Sequence, residues 1–218
     1  MPVQRRYYLG AAALISITIL ATMAAYPHLP SIVPVRWDAP GDGTAFGPKS
    51  SLFLYMPGLM TGIVLMFVAL PWLSPRRFEE NSFRPTYLHI MIVIVALLSY
   101  SQFLVLASGL GVNIEENRAL EGGVCMLIVL LGSVMGRVRR NFLVAIRTPW
   151  TLANEQVWAA THRFAAKTMV GGGALALIAV AAGSPLWLPA TAILMAAFVP
   201  AFYSLVLYRQ LERQNGLS

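Results

Sequence analysis

The segment from Gly136 to Arg163, GRVRRNFLVAIRTPWTLANEQVWAATHR, is the longest polar interruption in a chain that is otherwise apolar. Apolar runs lie on both sides of it, and several are long enough to cross a membrane as helices. The chain is therefore organised around one polar segment between membrane spans. The segment also contains six side chains that could bind a ligand or take part in a reaction: Asn141, Arg147, Trp150, Glu155, Trp158 and His162.

The local sequence of this segment predicts a loop followed by a helix. The residue before Pro149 is biased away from helix, and Asn154 followed by Glu155 supplies a helix N-cap and an acidic first turn. A helix that begins there places Glu155, Trp158 and His162 on one face, because they are spaced by three and four residues.

Composition places the chain among integral membrane proteins. Of its 218 residues, 57% are hydrophobic and 11% are charged, whereas about a quarter of the residues of a soluble protein are charged. The net charge of +7 does not indicate nucleic acid as a partner, because the basic residues flank apolar spans instead of lining one face. The single cysteine, Cys125, lies in an apolar run and excludes a disulfide framework within the chain.

The apolar runs predict a bundle of about six transmembrane helices. The first is interpreted as a retained span and not a signal peptide, whose apolar region is usually shorter. A hairpin of two helices divided at Gly183-Ser184-Pro185 explains the last long run. The predicted spans are residues 7–26, 52–73 and 87–110, the uncharged run between 121 and 137, and two helices between 167 and 209.

Some positions within the spans suggest helix packing. Ser99, Ser101 and Gln102 lie midway along the third span and are expected to face protein and not lipid. Gly58-x-x-x-Gly62 is interpreted as a packing motif, and Gly171-Gly172-Gly173 either weakens the fifth helix or lets a neighbour approach closely.

The distribution of basic residues predicts the orientation. Only Arg36, Lys49 and Arg118, of the 16 lysines and arginines, fall on one face of the six-span arrangement. By the positive-inside rule the other face is cytoplasmic. Both termini and the polar segment 136–163 are then inside, and the loop 26–50 is outside. That outer loop is rich in proline and glycine, which favours fixed turns over helix.

Two motifs carry a resemblance to a known family. The run NFLVAIRTPWTL, followed by ExxWxxTHR, resembles the signature of the SdpI family of bacterial membrane proteins, named for an immunity protein against a secreted killing factor. Upstream, YPHLPSIVPVRWDAPGDG, from Tyr26 to Gly43, is similar to the small domain of unknown function that precedes this signature in many family members. That pattern usually has histidine where this chain has Arg36.

The resemblance implies a function and a location. It implies protection of the producing cell against a secreted peptide or protein toxin, with signalling through a cytoplasmic regulator, from the bacterial cytoplasmic membrane. The motif residues that it marks are Asn141, Arg147, Thr148, Pro149, Trp150, Thr151, Glu155, Trp158, His162 and Arg163. In the outer loop it marks Tyr26, Pro27, Pro30, Pro34, Arg36, Trp37, Asp38 and Gly41.

The chemistry of the polar segment allows two interpretations. Arg147 can bind a carboxylate or another anion bidentately, and Trp150 can stack on the guanidinium. Alternatively, both residues anchor the chain at the membrane surface. The set spacing of the motif favours a packed, specific loop.

We expect no metal, no cofactor and no catalytic residue. Glu155 and His162 are separated by about 10.5 Å of helix rise, too far for both to ligate one ion from an undistorted helix. In the outer loop, His28, Asp38 and Asp42 are more typical of turns than of a metal site. A membrane-embedded enzyme acting on lipid or peptide, metal-dependent or not, and a small transporter stay open as alternatives.

The sequence suggests three regions. Residues 1–73 form an N-terminal two-span unit with the outer loop, 74–119 a linker and third span, and 120–218 the SdpI-like region. The last region contains the cytoplasmic segment 136–163 and a C-terminal helical hairpin.

Overall fold

The computed structural model describes residues 2–36, 45–73, 80–140 and 145–214. Two short strands, β1 (Ile32–Arg36) and β2 (Ala45–Pro48), form an antiparallel hairpin, flanked by 3-10 turns at Tyr26–His28 and Lys49–Phe53. The α-helices of these ranges are α1 (Pro2–Ala25), α2 (Tyr55–Leu73), α3 (Glu80–Gly109), α4 (Glu116–Met135), α5 (Pro149–Ala153), α6 (Glu155–Ala181) and α7 (Trp187–Gln214).

Six segments of the described ranges are long and apolar enough to cross a membrane. They correspond to α1, α2, α3, α4, α6 and α7, each with its neighbouring turn where one extends it. The predicted all-α membrane fold is therefore confirmed. The break at Gly183-Ser184-Pro185 is also confirmed, since α6 ends before it and α7 begins after it.

Helix α6 contains both the ExxWxxTHR motif and the fifth membrane span, which the sequence suggests as separate features. It begins at the predicted cap, where the Asn154 side chain accepts hydrogen bonds from the backbone N–H groups of Gln156 (2.8 Å) and Val157 (3.2 Å). It then continues to Ala181 as one helix. The ExxWxxTHR motif thus forms the first two and a half turns of a span-length helix.

The described residues group into two compact units, one from 1–77 with 88–124 and one from 78–87 with 125–218. In the first unit, Leu29 and Val33 from the outer segment pack with Leu52, Val105 and Leu106. This apolar cluster anchors the base of the β-hairpin.

Polar contacts cross the helices of the first unit. Thr18 and Ser99 share a hydrogen bond of 2.7 Å between α1 and α3. The Gln102 amide nitrogen donates to the Thr22 hydroxyl (3.0 Å) and to the Leu52 carbonyl (3.2 Å). Ser99, Ser101 and Gln102 are all buried, which confirms that this side of α3 faces protein.

Small residues set the helix contacts of the second unit. A Cβ added at Gly173 would lie 2.9 Å from the Val129 side chain, and one at Gly172 would lie 2.7 Å from Ala196. Cys125 is buried beside Ala176 and Val180. The expectation for Gly58-x-x-x-Gly62 was wrong: a Cβ at Gly62 would meet nothing within 4 Å, because that side of α2 faces open space.

Candidate functional site

The described part of the motif loop is held by a compact network around Thr151. Thr148 caps α5, and its backbone N–H donates to the Thr151 hydroxyl at 2.9 Å. The Thr151 hydroxyl in turn contacts the carbonyl oxygen of Ile146 at 2.9 Å, and the Thr151 side chain is fully buried. Pro149 occupies the first turn of α5, where its missing N–H costs nothing. These hydrogen bonds fix the shape of the described part of the loop.

Trp158 and His162 form the buried centre of the site. Their rings stack with centroids 4.2 Å apart and planes 25° apart. Both side chains are almost completely buried. The Trp158 indole N–H donates to the Val138 carbonyl at 2.8 Å, which ties the start of α6 to the chain that follows α4.

Both imidazole nitrogens of His162 are engaged by backbone groups. Nε2 accepts a hydrogen bond from the Ile146 N–H at 3.2 Å, so this nitrogen carries no proton. Nδ1 then carries the proton and donates to the Trp158 carbonyl at 2.7 Å. His162 therefore acts as a clasp between the loop and α6, and no ring nitrogen remains for a substrate or a metal.

A second contact joins the motif to α7. The Trp150 indole N–H donates to the Ser204 hydroxyl, and the Thr148 hydroxyl lies 3.4 Å from the same oxygen. Ser204 is fully buried in α7. We call the set formed by Ile146, Thr148, Trp150, Thr151, Trp158, His162 and Ser204 the clasp.

Three charged residues of the motif lie outside the clasp. Arg147, Glu155 and Arg163 are all exposed. Glu155 shares the helical spacing of Trp158 and His162, but the structure buries only the two rings. The polar motif thus divides into a buried scaffold and an exposed charged surface. Asn141 lies outside the described residues.

An open groove of about 480 Å³ runs beside the exposed charges. Glu155 and Arg163 line it on α6, with Ala159 between them, and Leu207 and Leu211 line it on α7. The groove combines an acidic group, a basic group and an apolar floor, which is the chemistry of a surface that takes an amphipathic helix.

In the outer segment, a lysine that the sequence did not mark as a site residue holds the chain. The Lys49 ammonium donates to the carbonyl oxygens of Tyr26 (3.0 Å) and Leu29 (3.2 Å). It also lies 4.4 Å from the centre of the Tyr26 ring. A cation is favourable at these carbonyls because they follow the C-terminus of α1. Its only signal in the sequence is its charge in a neutral loop.

The remaining outer-loop residues are placed in part. Pro27 lies in the 3-10 turn, Pro30 follows it, and Pro34 lies in β1. Arg36 ends β1, and its side chain is outside the described part of the structure. Trp37, Asp38 and Gly41 also lie outside the described residues.

Across the residues that the structure describes, no three histidine, cysteine, aspartate or glutamate side chains converge on a point that could hold a metal. The described site consists of two stacked rings, a loop bonded to two helices and exposed charges beside a groove.

Span-length helices, a β-hairpin and a motif loop bonded to two of the spans define a multi-pass membrane protein. The family model described as the SdpI/YfhL protein family matches residues 137–204, which include the clasp. A second model, described as a domain of unknown function (DUF1648), matches residues 13–61, which include the hairpin. The predicted resemblance to the SdpI family is therefore confirmed by both matches.

One similar protein is the immunity protein SdpI of Bacillus subtilis (strain 168). It is 24% identical over 204 residues, which cover 93% of this chain and 95% of that protein. No solved structure gives a significant match. The likeness to SdpI extends over nearly the whole length of both chains and is not confined to the motifs.

Proposed function

We propose that this protein gives the bacterial cell immunity to a secreted antibacterial toxin. The observation that carries the proposal is the similarity to a protein named for immunity over 93% of the chain. The proposed location is the cytoplasmic membrane, with both termini inside. The divided architecture supports the proposal, because polar, turn-rich segments interrupt the spans at two separate places.

In this proposal the outer loop binds the toxin, and the clasp changes the arrangement of its helices as a result. Trp37 and Arg36 are the candidates for the external contact, and Arg147 is the candidate for the response. A ligand shifts a helix arrangement only if it binds two arrangements with different affinity. The clasp is suited to such a change, because the loop carrying Ile146 and Thr148 is bonded to both α6 and α7.

A cytoplasmic regulator is the proposed partner on the inner face. The groove between Glu155 and Arg163 supports this part of the proposal. Because the groove begins in the same turns of α6 that hold Trp158 and His162, a change in the clasp would alter its walls. The engaged ring of His162 gives no support to an enzyme that uses this histidine.

The proposed orientation predicts that position 41 is outside and position 154 inside. Single cysteines at these positions, in a Cys125→Ser background, would be treated in intact cells with a membrane-impermeant thiol reagent. We expect Gly41→Cys to react and Asn154→Cys to react only after the cells are opened. Reaction of Asn154→Cys in intact cells would overturn the orientation.

The role of residues 37–44 is tested by replacing them with a flexible linker of equal length. This variant keeps Leu29 and Val33, which belong to the core, so the first unit retains its anchor. We expect loss of toxin binding and of protection in a toxin-sensitive host, because the candidate contact is removed. Trp37→Ala alone should weaken both.

The matched comparison is the same linker inserted after Gly111, in a loop that the proposal does not use. Membrane-inserted protein would be quantified for each variant. If the variant with the linker in place of residues 37–44 inserts at the normal level and still protects fully, the outer loop is not the receptor.

A further inference from the structure

The outer β-hairpin has two faces of different character. The register pairs Ile32 with Pro48 and Pro34 with Phe46. Because side chains alternate along a strand, these four residues share one face. Val33 lies between them and points to the opposite face.

The inner face of the hairpin rests on the end of a membrane span. Val33 is fully buried against Val105 and Leu106, which lie within the last five residues of α3. A Cβ added at Gly109, the last residue of α3, would lie 2.6 Å from Leu29 and 3.7 Å from Val33. The base of the hairpin therefore lies at the level where the span ends, which is the boundary between hydrocarbon and water.

The opposite face is apolar, and the described residues leave most of it exposed. Ile32 is 63% exposed and Phe46 is 65% exposed, and the four residues that form the face carry no charge. The next charge along the chain, Lys49, is turned to the carbonyls of Tyr26 and Leu29. Among the described side chains, this face therefore offers lipid an apolar surface.

The apolar surface also continues along the chain into a lipid-facing helix. Leu54, directly before α2, is 72% exposed, and Tyr55 and Leu59 in α2 are more than half exposed. Since α2 has the length and hydropathy of a span, its exposed apolar side chains face lipid. The hairpin face ends at Pro48, only six residues before Leu54.

We propose that the face formed by Ile32, Pro34, Phe46 and Pro48 is embedded in the phospholipid surface of the membrane. The hairpin would then be an interfacial element that lies on the bilayer, as amphipathic segments with one apolar face do. Lipid would cover the apolar face, and the packing of Val33 on the end of α3 would hold the hairpin in this position. A ligand that approaches the hairpin would then contact it at the membrane surface and not in bulk water.

The test uses nitroxide spin labels on the full chain in phosphatidylcholine nanodiscs, in a Cys125→Ser background. Labels at Ile32→Cys and Phe46→Cys are compared with Leu59→Cys on α2 and with Glu115→Cys in the exposed loop after α3. The measurement is the ratio of accessibility to oxygen, which enters lipid, to that of a water-soluble nickel complex, which does not.

We expect the ratios at positions 32 and 46 to lie well above the Glu115→Cys value and towards the Leu59→Cys value. Ratios equal to that of Glu115→Cys would overturn the proposal, because the face would then lie in water. Low accessibility to both reagents, with spin-spin broadening that grows with the number of chains per disc, would also overturn it and assign the face to a second copy. A native thermal transition for each labelled protein shows that the fold is kept.

Discussion

Replacing Arg147 with alanine is expected to abolish protection against the toxin while the amount of membrane-inserted protein stays near normal. Arg147 is exposed, and the hydrogen bond from the Ile146 backbone to His162 that holds the loop does not use its side chain. The measurement is the toxin concentration that halves growth of a sensitive host. We expect this concentration to fall at least tenfold.

Two further variants decide what Arg147 does. Arg147→Lys keeps the charge but cannot reproduce the bidentate geometry of guanidinium, so we expect it to fail if the arginine binds an anion through two parallel hydrogen bonds. Arg213→Ala, at an exposed position in the last turn of α7, removes the same charge elsewhere and should have little effect. Full protection by Arg147→Lys would reduce Arg147 to an interfacial charge.

Replacing Trp150, unlike replacing Arg147, is expected to disturb the structure of the site itself. Its indole N–H donates to Ser204, so Trp150→Ala breaks a link between the motif and α7 as well as removing a large ring. Any loss of protection in that variant includes a structural part. The sequence alone does not separate Arg147 from Trp150, since they are three residues apart in one motif. The structure separates them, because Arg147 is exposed whereas Trp150 is half-buried and bonded to Ser204.

The helices were predictable because lipid leaves the backbone few solutions. A segment in hydrocarbon must satisfy its own hydrogen bonds, so a long apolar run implies a helix. The hairpin was not predicted. Its strands are short and contain Pro34 and Pro48, which are tolerated because a two-stranded sheet has only edge strands. The proline-rich composition indicated turns, and the pairing depends on Val33 finding a buried site.

The sequence predicts that the two rings of the site lie together, but it does not predict their hydrogen-bond partners. A spacing of four residues places Trp158 and His162 together on a helix, and their rings do stack. Their hydrogen bonds go to the backbone of Val138 and Ile146, and backbone partners leave no mark on side-chain identity. Ser204 is one serine in an apolar helix, and only the fold brings it to Trp150.

The engaged state of His162 also changes how its replacement is interpreted. His162→Gln can retain at most part of two hydrogen bonds, one to the loop and one within α6. Loss of activity in that variant follows from a broken clasp as readily as from lost chemistry. A histidine in a membrane motif is therefore not evidence of catalysis when both ring nitrogens are occupied by backbone groups.

Gly132→Ala is expected to destabilise the second unit strongly, whereas Gly171→Ala should be neutral or stabilising. A Cβ at Gly132 would lie 2.8 Å from the Met169 Cβ and 2.9 Å from the Val170 backbone nitrogen. Backbone cannot yield like a side-chain tip, so α4 and α6 must separate. Overpacking of this kind costs about 1–3 kcal/mol.

Gly171 is the matched control, because it lies in the same pair of neighbouring helices but a Cβ there meets nothing within 4 Å. Alanine is favoured over glycine within a helix by about 1 kcal/mol, so the two substitutions should shift stability in opposite directions. The measurement is the midpoint of thermal unfolding in detergent, followed by toxin protection in cells. Because the separation of α4 from α6 would strain the link from Trp158 to Val138, Gly132→Ala should also reduce protection. Equal midpoints for the two variants would show that α4 and α6 do not pack as closely as the structure places them.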